Sequence, residues 1–291
     1  MKIVKLKGGL GNQMFQYAFA CLLHEHTNDE VKIDTSYFQS TIADSIRQCR
    51  LLQYKLTLQE AAKEEIERLC LFRHTGNPMG TKYRYSIALE GVFNRNYYFE
   101  KNRAYVPVDD VKSYSYFDGY WQSWRNVDPI IEKLKNEFQP LNQLSNKTQT
   151  TLNKISTEQS VFIGIRRGDY SQRSGHFGSF GQDYFETAMK YIDERVEYPV
   201  YYIFSNDIEW VKNHIDFGKR SITFREKEDV VDDFEDLILM SYCKHSIIIN
   251  STYHWWGARL HEYDGKIVIA PQKWFFDKKP IDIVPNRWIR I

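Results

Sequence analysis

Two adjacent arginines stand where an apolar run ends, in Val161-Phe-Ile-Gly-Ile-Arg166-Arg167-Gly168-Asp169-Tyr170. In an α/β sheet, ligands bind outside the carboxyl ends of strands, and paired guanidinium groups suit the oxygens of a diphosphate. The five residues before the pair read as a buried strand, so both arginines would be held on a rigid element. The bland alternative is a surface pair between an arginine and Asp169, which contributes little. Asp169 itself has two open roles, orienting an arginine or acting as a base.

Three further stretches share this setting. Phe204-Ser205-Asn206-Asp207 ends a strand and opens a helix, so Ser205 to Asp207 read as an N-cap, a ligand contact, or both. Asn250-Ser251-Thr252 repeats the arrangement, with hydroxyls and N–H groups at a helix start that suit a phosphate. Trp255 and Trp256, just beyond, read as core packing. Near the N-terminus, Gly8-Gly9-Leu10-Gly11 lies between a strand and a helix opened by Asn12 and Gln13, where backbone can approach an anion closely. Asp34 lies where a dinucleotide fold would place its ribose acid, yet that fingerprint needs Gly or Ala at position 14, and Met14 stands there.

What is missing narrows the chemistry. No Asp is followed two positions later by another Asp, and H-E-x-x-H, G-x-S-x-G and G-x-x-x-x-G-K-[ST] are absent. A diphosphate would have to be met by arginines and helix ends, so the expectation is a site with no metal and no bound cofactor.

The elements that must position these residues follow from periodicity. Ile3 to Leu6, a buried helix from Met14 to Leu23, and Val31 to Asp34 make a β-loop-α-β opening. A charged helix follows near Thr57 to Leu71, then an aromatic stretch from Tyr83 to Trp124 of short strands or loops, whose rings suit either core packing or a sugar face. The polar run Asn142 to Ser160 reads as a junction, with Leu152 to Ile155 as an alternative helix end. Beyond it, strands at Val161 to Ile165, Val200 to Phe204, Ser246 to Ile249 and Lys266 to Ala270 alternate with helices at Gln182 to Arg195, Asp207 to His214, Val231 to Tyr242 and Tyr253 to Tyr263. Such alternation implies a parallel sheet with right-handed crossovers. The expected architecture is α/β, two Rossmann-like domains facing a cleft, residues 1–150 and 151–291.

Composition sets outer bounds. A chain of 291 residues with 42% hydrophobic content fits two ordinary domains. A net charge of +1, from 39 Lys and Arg against 38 Asp and Glu, gives no reason to expect nucleic acid as a partner. Cys21, Cys49, Cys70 and Cys243 show no paired framework and read as free thiols in a reducing compartment. With no signal peptide and no apolar run long enough to span a bilayer, the expected location is cytoplasmic, compatible with peripheral attachment to the inner membrane.

Taken together, Gly8-Gly-Leu-Gly-Asn-Gln-Met-Phe-Gln-Tyr-Ala18, Ile165-Arg-Arg-Gly-Asp-Tyr170, Phe204-Ser-Asn-Asp207 and Asn250-Ser-Thr-Tyr-His-Trp-Trp-Gly257 resemble the bacterial α-1,2-fucosyltransferases of glycosyltransferase family 11. The resemblance implies a GT-B fold, GDP-fucose as donor, inversion at the anomeric carbon, no metal, and the 2-hydroxyl of a terminal β-galactoside in a cell-surface glycan as acceptor. It places the donor mainly on the second domain: Arg166 and Arg167 on the diphosphate, Asn206 or Asp207 near guanosine, Ser251 and Thr252 near phosphate. Gly8, Gly9, Gly11, Asn12 and Gln13 would close over pyrophosphate and fucose from the first, acceptor-side domain. Arg166, Asp169 and Asn12 are the expected catalytic residues. The chain departs from the family pattern at Gly164, where a histidine is usual; His176 and His254 are the candidates to supply it. Asn206 stands where an acid is common, which shifts guanine recognition toward Asp207. Two alternatives stay open: transfer from another GDP-sugar, and a non-catalytic protein that binds nucleotide sugars.

Overall fold

The structure, a computed structural model, describes residues 1–39, 48–72, 81–101, 104–167, 180–230, 232–276 and 281–291. Gly168, Asp169, Tyr170 and His176 lie outside the described residues. The chain forms two compact units, Met1–Leu141 with Ile281–Ile283, and Asn142–Pro280 with Val284–Ile291. The division falls at Leu141/Asn142 because the polar run after it is not a linker. Most of it is a helix, and residues 150 and 151, the expected boundary, lie inside that helix.

In the first unit β1 (Lys2–Lys5) leads into α1 (Leu10–Thr27), β2 (Val31–Asp34), α2 (Lys63–Leu69), α3 (Thr81–Phe93), β3 (Tyr97–Phe99), α4 (Val108–Val111), β4 (Tyr116–Asp118) and α5 (Ile131–Glu137). The sheet order is β2-β1-β4-β3, and every pairing is parallel. α1 is apolar nearly all round, with thirteen buried residues from Leu10 to Leu23, as a helix against a buried sheet must be. The aromatic stretch supplies both β3 and β4 and also α3, which lacks a clear apolar stripe. Its rings are largely core: Phe19 stacks on Trp121 at 3.8 Å, and Tyr97 on Tyr116 at 5.2 Å.

The second unit runs α6 (Asn146–Thr157), β5 (Gln159–Ile165), α7 (Gln182–Asp193), β6 (Pro199–Ser205), α8 (Ile208–His214), β7 (Ser221–Phe224), α9 (Asp233–Tyr242), β8 (His245–Ile248), α10 (Thr252–Arg259), β9 (Val268–Ala270) and β10 (Ile289–Arg290). The sheet order is β10-β9-β8-β5-β6-β7, again all parallel. Strands β7 and β10 were not expected. The first alternates exposed and half-buried residues at a sheet edge, and the second has only two residues.

β5 is central and covered on both faces. Val161, Ile163 and Ile165 pack on Phe185, Ala188, Met189 and Ile192 of α7 and on Ile208 and Val211 of α8. Phe162 and Gly164, one residue out of phase, meet α10 on the other face. Among the described residues no helix is long and apolar enough to cross a membrane.

Candidate functional site

Strand order decides which loops share an edge. From β5 the chain winds outward through β6 and β7, then returns to the other side of β5 with β8. The crevice expected at such a reversal lies at the carboxyl ends of β5 and β8. In register, Gly164 pairs with Phe204 on one side and Ile248 on the other, and Ile165 with Ser205. The parallel ladder therefore brings Arg166 and Arg167, Ser205 to Asp207, and Asn250 to Thr252 to one edge of one sheet.

The two arginines do different things there. Arg167 turns to the α8 side: its guanidinium lies 3.8 Å over the Trp210 ring, and Nε stands 3.8 Å from Asp207 Oδ2. Its backbone N–H donates to Asn206 Oδ1 at 2.9 Å. Arg166 follows Gly164 by two residues and belongs to the α10 side, where its positive charge bears on His254. Both arginines are half-buried.

The acidic and hydroxyl groups are also sorted. Asp207 is the N-cap of α8, its Oδ1 accepting from the Trp210 N–H at 3.2 Å, and Ser205 Oγ accepts from the Asp207 N–H at 3.0 Å. The Asp207 side chain is still 44% exposed, so capping leaves a face open to a ligand. Ser251 precedes α10 without a side-chain cap bond, and Asn250 Nδ2 donates to the Trp274 carbonyl at 2.7 Å, fixing the turn. Trp255 and Trp256 are fully buried, as core residues.

The departure at Gly164 has a spatial answer. A Cβ on residue 164 would lie 2.5 Å from Cγ and Nδ1 of His254 and 2.7 Å from its Cδ2. The imidazole from α10 thus occupies the space a side chain on β5 would take. His254 is 4% exposed, and its Nδ1 is buried with no hydrogen-bond partner among the described residues. Burial first, and then the positive Arg166, push its pKa down to about 3, so the ring is neutral.

In the first unit the reversal lies between β1 and β4, and the glycine-rich loop is there. Gly8 has φ +81°, and a Cβ on it would sit 2.8 Å from Asn12 Nδ2. Asn12 Oδ1 accepts from Gln122 Nε2, in the loop after β4, at 2.8 Å. Gln13 is different: its Nε2 donates to the carbonyls of Gly8 and Gln48, its Oε1 accepts from the Leu51 N–H, and it is fully buried. Its amide holds the loop through these three bonds. Gln16 ties Lys7 to Gly119 in the same way. Asp34, the conceivable ribose acid, is 1% exposed and bonded by the Tyr116 hydroxyl. Beside the loop, Asp118 takes Lys7 Nζ directly, Lys5 Nζ at 3.9 Å and the Tyr97 hydroxyl at 2.9 Å. Burial alone would raise its pKa, but the two ammonium groups hold the carboxyl well below its usual range.

Trp210 and Gln122 were not legible as partners of the motif residues. The only trace was positional, since Trp210 falls three residues after a capping Asp, whereas His254 was already a candidate to fill the place of the histidine absent at Gly164.

Comparison with known proteins places this geometry. The chain is 29% identical to the O-antigen biosynthesis glycosyltransferase WbnK of Escherichia coli, across 98% of this chain and 99% of that protein. It is 30% identical to an alpha-1,2-colitosyltransferase of Escherichia coli, across 99% and 98%. Human galactoside alpha-(1,2)-fucosyltransferase 1 is 29% identical over 49% of this chain and 42% of its own length. Among solved structures, a GDP complex of an Arabidopsis thaliana FUT1 mutant superposes with TM-score 0.52 at 10% identity, covering 92% of this chain and 69% of that one. At that identity the likeness speaks to fold, which is of the GT-B type with two Rossmann-like parallel sheets. The model of glycosyl transferase family 11 matches residues 91–291, which takes in the whole edge formed by β5, β6 and β8, and the chain belongs to that family.

Proposed function

We propose that this glycosyltransferase moves L-fucose from GDP-fucose to the 2-hydroxyl of a terminal β-galactoside in a cell-surface glycan, with inversion and without a metal. The observation that carries the donor reading is the shared edge: the ends of β5, β6 and β8 gather an arginine, a helix start with Ser251 and Thr252, and the Asn206–Asp207 turn. Phosphate, diphosphate and base chemistry are offered in that order from β8 through β5 to β6 of one sheet. The acceptor and linkage rest on relatives named for galactoside alpha-(1,2)-fucosyl transfer.

In this reaction the acceptor oxygen forms a bond to the fucose anomeric carbon while the bond from that carbon to the β-phosphate oxygen breaks. GDP leaves with the electron pair. Charge grows on the diphosphate as it departs, so Arg166 and the N–H groups at the start of α10 would bind the transition state more strongly than the ground state. Asp169 is the carboxylate proposed to take the acceptor's proton. Asp169→Asn at near wild-type turnover would remove it from the mechanism. The work would be done in the cytoplasm, at the inner face of the membrane that carries the growing glycan.

A second reading has an observation of its own, since a full-length relative is named for colitosyl transfer. Colitose is fucose without the 3-hydroxyl, and the two donors share GDP. The test is incubation with GDP-fucose, EDTA and a panel of terminal galactosides, following GDP release and mapping the product linkage by NMR. Acceptor-dependent release with an α-1,2 linkage is the expected result. Release only with GDP-colitose, in direct competition, would transfer the assignment to that donor. Tight GDP binding without turnover on any acceptor would leave a binding protein instead.

A further inference from the structure

The pairing of Gly164 with His254 has a property that packing alone does not require. A core position filled only for volume would take an apolar side chain, because a buried nitrogen without a partner loses its hydration for nothing. Here the ring is fully enclosed, its Nδ1 bonded to none of the described residues, and it lies at the sheet reversal where the ligand crevice is expected. Gly164, against which the ring packs, lies two residues before Arg166, and the arginine's positive charge bears on the ring. Two residues of strand span about 6.6 Å, within reach of a folded-back arginine side chain.

We propose that His254 is a positioning residue for Arg166. Its neutral imidazole, admitted by the missing side chain at Gly164, offers Nδ1 as a hydrogen-bond acceptor that aims the guanidinium at a bound diphosphate. The inference rests on the donor reading above and adds to it the group that orients the anion-binding cation. The choice of group has a physical reason. A carboxylate in that place would orient the arginine equally well but cancel the charge the diphosphate needs. A lysine or a protonated histidine would repel it. An uncharged acceptor fixes direction and leaves the full charge available. Gly164 and His254 are then two halves of one device, and neither works with the other position altered.

The test uses the full-length protein and inorganic pyrophosphate, a probe with neither base nor sugar, with affinity read by calorimetry. His254→Leu, which keeps the volume and deletes the acceptor, is expected to weaken pyrophosphate binding at least about tenfold, the usual share of a hydrogen bond to a charged group. His254→Asn, which returns a neutral acceptor near the place of Nδ1, is expected to stay within about threefold of wild type. Gly164→Ala keeps the imidazole but displaces it, and should match His254→Leu. In donor turnover, the same loss should appear in kcat/KM for GDP-fucose with the acceptor KM unchanged. A merely structural histidine would instead lower the hydrogen-exchange protection of β5 and α10 and leave the affinity of the folded protein intact. Equal pyrophosphate affinity in His254→Leu and wild type overturns the inference, and if wild type still turns over GDP-fucose the donor reading survives. His254-dependent pyrophosphate binding in a protein inert toward GDP-fucose supports the inference and sinks the donor reading. A wild type that binds neither pyrophosphate nor GDP overturns both.

Discussion

Gly164→Ala should change sign according to what stands at position 254. In the wild type, the added methyl would lie 2.5 Å from two atoms of the His254 ring, against an ordinary carbon contact of about 3.5 to 4.0 Å. Neither side can yield easily. β5 is pinned in register by β6 over seven residue pairs and by β8 over four, and the ring is enclosed at 4% exposure. Overpacking of this kind costs about 1 to 3 kcal/mol, and the rigidity on both sides argues for the upper end. In a His254→Ala background the same methyl enters vacated space. There, the replacement of a strand glycine by alanine should stabilise by roughly 0.5 to 1 kcal/mol. The double-mutant cycle therefore predicts a coupling of about 3.5 to 4 kcal/mol, several hundredfold in the local opening equilibrium. Because the chain has two compact units, a single melting curve is a poor reporter. Native-state hydrogen exchange read on peptides covering β5 and α10 reports the second unit directly. A cost for Gly164→Ala that is the same in both backgrounds, within about 0.5 kcal/mol, would refute the packing argument.

Arg166→Ala should lower kcat for donor transfer by about a hundredfold or more, the loss expected for a group that meets developing charge. Arg167→Ala and Trp210→Ala should instead be non-additive in GDP affinity, since the guanidinium lies on that ring, and strict additivity by calorimetry would remove the pair. Asp118→Asn removes the buried carboxylate that pairs with Lys7 and Lys5 and should cost about 3 to 5 kcal/mol, read by exchange protection of β1 and β4. Stability of the second unit should fall as pH drops below 6.5. His254 and His245 are held neutral in the fold at about 3 and about 4, chiefly by burial, whereas the unfolded chain takes up protons from 6.5 downward. Each contributes up to about 1.4 kcal/mol per pH unit within its own window, and His254→Leu should remove one share. A urea midpoint that does not move between pH 7 and pH 5 would contradict this.

Much of the molecule was readable along the chain because it is locally encoded. The buried run Val161 to Ile165, the capping residues Ser205 and Asp207, and the glycine turn before α1 announce themselves through periodicity, side-chain hydrogen bonding and permissive φ, all within a few neighbours. The paired tryptophans read as core for the same reason. Where the local signal was thin, the reading failed: α3 lacks a clear apolar stripe, β10 is two residues long, and the polar run after Leu141 hides a helix whose buried residues are only Thr148 and Ile155.

What only the tertiary structure decided concerns residues far apart in sequence. β4 joins the first sheet beside β1, which brings Gln122 to Asn12 across 110 residues. Gln13 looks like a ligand group beside a glycine loop, yet its amide is used entirely inside the unit. Arg167 is set over the ring of Trp210, a partner 43 residues further along the chain. The sequence offered His254 for the histidine absent from position 164, and the fold decides that its ring fills the space beside that glycine, 90 residues earlier. A sequence states which chemistry is present and which short stretches are rigid. Strand order and the close packing of covered faces decide which of those groups meet, because contacts across a parallel sheet are set by the ladder and the helices above it, not by distance along the chain.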